Sequence, residues 1–217
     1  EFTDGRYENG IFTPFADPGN TPPVALDNNY AGTEDSTLTI AAVNGVLAND
    51  SDTDADPLTV SAFGTASLQG GTVTMSANGS FVYTPAANFH GEDRFSYTAS
   101  DGRGGTASAV VRITVAGVND APTARNDAYT VAQDGALAIT AASGVLANDL
   151  DVDGNSLSVS TYDLASAQGG SVTINPAGDF VYTPPSGFTG SDSFAYTASD
   201  GNLHNSANVA ITVTAGG

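Results

Sequence analysis

Cysteine, tryptophan and lysine are all missing from this chain, and each absence excludes something. Without cysteine there are no disulfide staples, no thiol nucleophile and no thiolate zinc site, so stability must come from apolar cores and any bound ions. Without tryptophan the commonest flat face for stacking a sugar ring is gone. Five arginines stand against 24 aspartates and glutamates, giving a formal net charge of −19. That balance excludes a nucleic acid or an anionic membrane held by charge. No run approaches the roughly 18 apolar residues of a membrane span, and no signal peptide is recognisable, so membrane insertion is not expected. We expect the chain to be a segment of a larger protein. Glutamate is scarce as well, confined to positions 1, 8, 34 and 92. The acidity is therefore aspartate, a residue of turns and metal loops rather than of solvated helix faces.

What is present is a duplication. GVLANDSDTDADPLTVS (Gly45 to Ser61) returns as GVLANDLDVDGNSLSVS (Gly144 to Ser160), and FVYTP…FSYTASDG returns as FVYTP…FAYTASDG. Asn49 aligns with Asn148, Tyr83 with Tyr182 and Asp101 with Asp200, an offset of 99 residues. A period of that size is a whole domain with its own core, not a solenoid unit. The domains are read as 20–118 and 119–217, with 1–19 as a linker or the tail of a preceding module in which Tyr7, Phe12 and Phe15 suggest packing.

Period-two alternation dominates each repeat, as at Leu38/Ile40, Phe81/Tyr83, Phe95/Tyr97 and Val111/Ile113/Val115. Such runs are strands buried on one face. They are separated by turn clusters such as Asn44-Gly45, Asn78-Gly79 and Asp101-Gly102, and Asn78-Gly79 reads as a tight hairpin. The pattern predicts strands near 26–32, 37–41, 57–63, 71–76, 80–84, 93–100 and 107–116, with counterparts 99 residues later. Seven short strands per repeat predict an all-β chain of two tandem immunoglobulin-like sandwiches joined by a short linker.

The aspartates are the candidate chemistry. A hard dication takes six to eight oxygen ligands, and Asp at alternate loop positions converges carboxylates on one point. Asp149, Asp151, Asp153 and Gly154 match the opening of an EF-hand loop, but the twelfth position is Ser160, not Glu, so a complete EF-hand is rejected. Asp50, Asp52, Asp54 and Asp56 have the same spacing in repeat 1. Asp50 and Asp149, beside Val-Leu-Ala, read as turn caps. Asp151 and Asp153, next to a short acidic linker, read as metal ligands, while Asp101 and Asp200 precede glycine and suit a turn as well as calcium. No nucleophile elbow and no Cys/His cluster appears, so no catalysis is expected. Ser191-Asp192-Ser193 aligns with Glu92-Asp93-Arg94 and reads as structural.

The phrase Val118-Asn119-Asp120-Ala121-Pro122, following a Thr-Ala-Ser-Asp-Gly run and a final strand, resembles the inter-repeat signature of bacterial cadherin-like repeats. These are tandem modules of surface adhesins and of some secreted polysaccharide-degrading enzymes. The resemblance covers 20–217 and implies Ca²⁺ at the junction of successive repeats. Carried over by motif, Glu34, Asn119, Asp120, Asp151, Asp153 and Asp200 would be its ligands, with Asp52, Asp54 and Asp101 as the repeat 1 counterparts. Asp93 is the counterpart of an acidic pair. The sequence departs from the pattern at Gln133, where repeat 1 has Glu34, and at Thr21, where repeat 2 has Asp120. The reading that follows is a calcium-stiffened spacer or adhesion segment of an extracellular protein, its expected partners being neighbouring domains of the same polypeptide and a polysaccharide or cell-surface ligand. A carbohydrate-binding module is the alternative, with Phe63 and Tyr162 as the two aromatics left over from the expected core.

Overall fold

The computed structural model describes residues 5–8, 11–14 and 19–216. Two compact units divide the chain at Glu1–Val118 and Asn119–Gly217. The side chains of Tyr7, Phe12 and Phe15 lie outside the described residues. Strands β1 (Gly5–Glu8) and β2 (Ile11–Pro14) pair antiparallel.

Repeat 1 has seven strands: β3 (Asn28–Thr33), β4 (Leu38–Ile40), β5 (Thr59–Phe63), β6 (Thr72–Met75), β7 (Phe81–Thr84), β8 (Gly91–Ser100) and β9 (Thr106–Ala116). Repeat 2 follows with β10 (Asp127–Ala132), β11 (Leu137–Ile139), β12 (Ser158–Tyr162), β13 (Ser171–Ile174), β14 (Phe180–Thr183), β15 (Gly190–Ser199) and β16 (His204–Thr214). Each repeat is a sandwich of a four-stranded and a three-stranded sheet, ordered β3-β9-β8-β5 over β4-β7-β6 and β10-β16-β15-β12 over β11-β14-β13. The first strand of each four-stranded sheet runs parallel to the last (β3 with β9, β10 with β16), and the other pairings are antiparallel. The immunoglobulin-like architecture expected from the alternation is the one observed.

The alternation explains the core. Along β8, Asp93, Phe95, Tyr97 and Ala99 are buried while the residues between them face outward, and Asp192, Phe194, Tyr196 and Ala198 repeat this along β15. Phe81 sits between the sheets with its ring edge-on to Tyr30 at 5.0 Å and to Phe95 at 5.6 Å, and Phe180 does the same with Tyr129 and Phe194. Each contact of this kind adds about 0.5–1.5 kcal/mol beyond area burial. The Asn78-Gly79 hairpin closes with Gly79 N–H donating to Ser76 O at 2.9 Å and Gly79 in the left-handed region at φ 83°. The turn packs closely on its neighbour: a Cβ at Gly45 would lie 2.3 Å from Gly79 O.

A charge is built into this apolar frame. Asp93 is fully buried, and its carboxylate accepts from Tyr83 Oη at 2.7 Å, Gln69 N at 2.9 Å, Arg94 N at 2.7 Å and the Ser67 hydroxyl. Asp192 has the same partners 99 residues on: Tyr182, Gln168, Ser193 and Ser166. Burial alone would raise these carboxyls, but the converging donors hold both below the usual carboxylate range. The bond from Tyr83 joins β7 of one sheet to β8 of the other. A depressed carboxyl stabilises the fold above its unfolded pKa, and that stabilisation is lost as pH falls through the folded value, below about 4.

Two substitutions weigh this network in urea unfolding. Asp192→Ala strands a buried phenol, a hydroxyl and two N–H groups and is expected to cost repeat 2 about 3–5 kcal/mol. Tyr182→Phe, which removes one charge-assisted bond, should cost about 1.5–3 kcal/mol.

Candidate metal centre

At one end of each sandwich the residues that lead into the repeat meet the acidic loop before the third strand and the turn before the last strand. In repeat 2, Asn119 Nδ2 donates to Asp200 Oδ2 at 2.7 Å, and Asp120 N–H donates to Asp153 Oδ2 at 2.7 Å. Asp153 N–H donates in turn to Asp151 Oδ1 at 3.0 Å, and Asn155 Nδ2 donates to Asn119 Oδ1 at 2.9 Å. Five of the sequence-nominated residues thus share one connected network. The alternation of acids produces it: Asp151 receives the backbone N–H of Asp153 and Asn155, the Asx-turn geometry that rolls the loop around its own carboxylate.

Repeat 1 builds the same network from its counterparts. Asn20 Nδ2 donates to Asp101 Oδ2 at 2.7 Å, Thr21 N–H to Asp54 Oδ2 at 2.7 Å, and Asp54 N–H to Asp52 Oδ1 at 2.8 Å. Asp52, Asp54 and Asp56 each bring a carboxylate oxygen within 4.8 Å of the others. Asp101 and Asp200 are held below the usual carboxylate range, first by Asn20 and Asn119 respectively and then by the N–H groups of their own turns.

The donors are all oxygen, which suits Ca²⁺ or another hard dication and not zinc. The Asp151 Oδ2 and Asp52 Oδ2 atoms are buried with no hydrogen-bond partner. A buried, unpaired carboxylate oxygen costs free energy that a cation would recover. The oxygen donors and these unpartnered carboxylate oxygens therefore fit a hard dication such as calcium.

The two ends differ in charge. In repeat 1 the Arg103 Nε lies 3.0 Å from Asp56 Oδ1, whereas repeat 2 has Asn202 and Asn155 at those positions. Sequence reasoning did not single out Arg103, because an arginine in a hairpin turn carries no signature until the acidic loop is folded against it. Glu34 opens the β3–β4 turn of repeat 1. It is buried, its Oε1 accepts from Val118 N–H, and its Oε2 has no hydrogen-bond partner, with His90 Nδ1 3.8 Å away.

Three expectations change. Asp93 was nominated as a metal ligand, but its acceptor positions are taken by Ser67, Gln69, Tyr83 and Arg94 inside the core. Phe63 and Tyr162 were nominated as a sugar platform, but each is half-buried and packs against the core of its repeat. Asp50 and Asp149 do more than cap turns. Asp149 accepts from Arg125 N at 2.7 Å and Tyr196 Oη at 3.0 Å, and Asp50 from Leu26 N and Tyr97 Oη, each at 2.9 Å or less.

Residues 20–114 match the family model of the bacterial Ig domain, and residues 119–215 match that of the bacterial cadherin-like domain. The chain is a tandem of bacterial cadherin-like repeats. No curated protein sequence matches it. Among solved structures, human protocadherin-24 EC1-2 (form II) is 15% identical with TM-score 0.52, over 86% of this chain and 94% of its own. Human CDH23 EC21-23 is 14% identical with TM-score 0.53, over 89% of this chain and 70% of its own. These likenesses show the fold. An endo-fucoidan hydrolase from glycoside hydrolase family 107 is 20% identical with TM-score 0.37 over 93% of this chain. The cadherin-like chain spans 30% of that enzyme's length. Cadherin-like and Ig-like repeats are non-catalytic modules, and among the described residues no helix is long and apolar enough to cross a membrane.

The depressed acidity at these ends has a direct check. In a ¹³C carboxyl titration by NMR, Asp200 is expected to titrate below the ordinary aspartate value of about 3.9, and Asn119→Ala should move it upward. Its contribution to stability is fully present above the unfolded value of about 3.9 and is lost as pH falls through the lower folded value.

Proposed function

We propose that this tandem binds Ca²⁺ at the acidic loops and acts as a stiffened spacer or adhesion segment of a larger extracellular or surface protein. The observation that carries the reading is the recurrence, at equivalent positions of both repeats, of one oxygen-lined network with a buried carboxylate oxygen unpartnered, Asp52 in repeat 1 and Asp151 in repeat 2. In repeat 2 the ligands are Asn119, Asp120, Asp151, Asp153 and Asp200; in repeat 1 they are Asp52, Asp54 and Asp101. The ion neutralises carboxylates that otherwise repel one another, and it ties linker residues 119 and 120 to the 151–153 loop, which shortens the freely moving part of the junction. Extracellular calcium modules bind with Kd of about 10⁻⁴–10⁻³ M, so the stiffness would follow ambient calcium where calcium is millimolar. At a hundredfold excess over Kd each independent site adds about 2.7 kcal/mol of apparent stability.

Calorimetric titration of the chelator-stripped protein, with small-angle scattering at both end points, tests the reading. Binding is expected in the wild type, together with a longer or stiffer particle, and should be lost from the repeat 2 site in Asp151→Ala/Asp153→Ala. No heat and no change of shape would return these loops to turn chemistry and raise polysaccharide binding to the first reading. Polysaccharide binding stands second because Phe63 and Tyr162 are engaged with the cores. Pairing through a sheet edge stands third, since the edge strands β3 to β6 run only three to six residues.

The two ends should not bind equally. Arg103 already supplies a cation to Asp56, so the repeat 1 site is expected to be the weaker. Arg103→Asn should strengthen calcium binding there in the same calorimetric assay. In chelator the loss of this partly exposed ion pair should cost about 0–1 kcal/mol, and calcium should restore it.

A further inference from the structure

The duplicated chain provides its own control at one inward-facing position, Asn28 at the start of β3 and Asp127 at the start of β10. Each stands two residues before a tyrosine that packs on its core. The Asn28 amide is a donor: its Nδ2 lies 3.0 Å from Leu26 O, 3.2 Å from Val46 O and 3.2 Å from Tyr97 Oη. The equivalent acceptors in repeat 2 are Arg125 O, Val145 O and Tyr196 Oη, and they keep the same arrangement, with the Tyr196 hydroxyl 3.0 Å from Arg125 O and 2.7 Å from Val145 O. An ionised aspartate in that place has nothing to donate, because a carboxylate only accepts. The Asp127 Oδ2 is buried and without a hydrogen-bond partner.

The groups that face Asp127 come from three elements. Asp149 and Asn148 face it from the loop after a short 3₁₀ helix (Ala141–Ser143), Tyr196 from β15, and Tyr129 from its own strand. Asp149 is the charged group among them and it repels a second negative charge, while the charge of Arg125 acts on Asp149. A carbonyl-lined, carboxylate-flanked place can be satisfied by the neutral acid, whose O–H does what the Asn28 N–H does.

We propose that at mildly acidic pH Asp127 is carried as the neutral carboxylic acid donating a hydrogen bond within repeat 2, so that this position binds a proton in repeat 2 and not in repeat 1, and the packing of repeat 2 loosens when that proton is lost. Burial first, and then repulsion by Asp149, outweigh the opposing pull of the Tyr196 and Asn148 donors and push the Asp127 carboxyl up to about 6. The unfolded chain's aspartate has a value of about 3.9, so the folded repeat binds this proton about a hundredfold more tightly. Between these two values the folded state holds the extra proton. Stability of repeat 2 therefore falls as pH rises from about 4 to about 6 and levels off above, the opposite sense to Asp192.

The test uses the full chain in chelator, with a ¹³C carboxyl titration assigned through Asp127→Asn and thermal unfolding from pH 4 to 8. Asp127 should titrate near 6, and Asp127→Asn should raise the melting temperature of repeat 2 at pH 7.5 and flatten its fall between pH 4 and 6. Asn28→Asp should confer the same fall on repeat 1. An Asp127 midpoint at or below 4, or a lower melting temperature at pH 7.5 in Asp127→Asn, would overturn the proposal. The assays contain no calcium, so the outcome is independent of metal binding.

Discussion

Two aspartate–tyrosine pairs in each repeat, their tyrosines fully buried, constrain everything else in the sandwich. Asp93 with Tyr83 joins the two sheets and fixes the β5–β6 loop through Ser67 and Gln69. Asp50 with Tyr97 fixes the segment before β3 and the loop after the 3₁₀ helix at the other end. Both tyrosines are essentially inaccessible to solvent. In a chain without disulfides these pairs cross-link elements distant in sequence at defined positions. They are costly to bury and therefore specific: the aspartate must find all its donors or the packing fails. The apolar contacts, by contrast, tolerate small shifts.

That constraint prepares the acidic loops. Asp149 is tied down by Arg125 N–H and Tyr196, so the residues after it leave the core in a fixed direction. Asp151 then gathers the N–H groups of Asp153 and Asn155, and Asp153 receives Asp120 N–H. The first acid of the loop is an anchor and the next two turn their carboxylates to the N–H groups of the loop and of residue 120, a division of labour that alternate spacing makes possible. A loop arranged in this way loses little conformational freedom when an ion arrives, and that favours binding without further contacts.

The strands were legible because their burial is one-sided. Period two at Phe81/Tyr83 and Val111/Ile113/Val115 can mean little else, and the Asn-Gly and Asp-Gly pairs mark the turns between. The chemistry of individual aspartates was less legible, because the same residue caps a turn, binds a metal or completes a core. Asp93 was misread as a ligand although the signal was present: it falls in phase with Phe95, Tyr97 and Ala99, which places it on the inward face. Phe63 and Tyr162 were misread for the opposite reason. A bulge shifts the register after Val60 and after Val159, so simple alternation misassigns the residues at the ends of β5 and β12.

The duplication sharpens what these positions mean. Phe81, Tyr83, Asp93, Phe95 and Tyr97 all reappear unchanged 99 residues later, so the core and its cross-links are one solution used twice. Several of the differences fall on polar groups around that frame. Asn28 becomes Asp127, Asp56 becomes Asn155, Arg103 becomes Asn202, Thr21 becomes Asp120 and Glu34 becomes Gln133. None of these changes alters the strand order or the aromatic packing, and each moves a charge or a proton. Two domains of equal shape thus carry different electrostatics. An ion pair internal to repeat 1 does part of what repeat 2 leaves to solvent, a proton or a cation. Fold and chemistry are separable here because the aspartate–tyrosine pairs hold the frame independently of the outer acids.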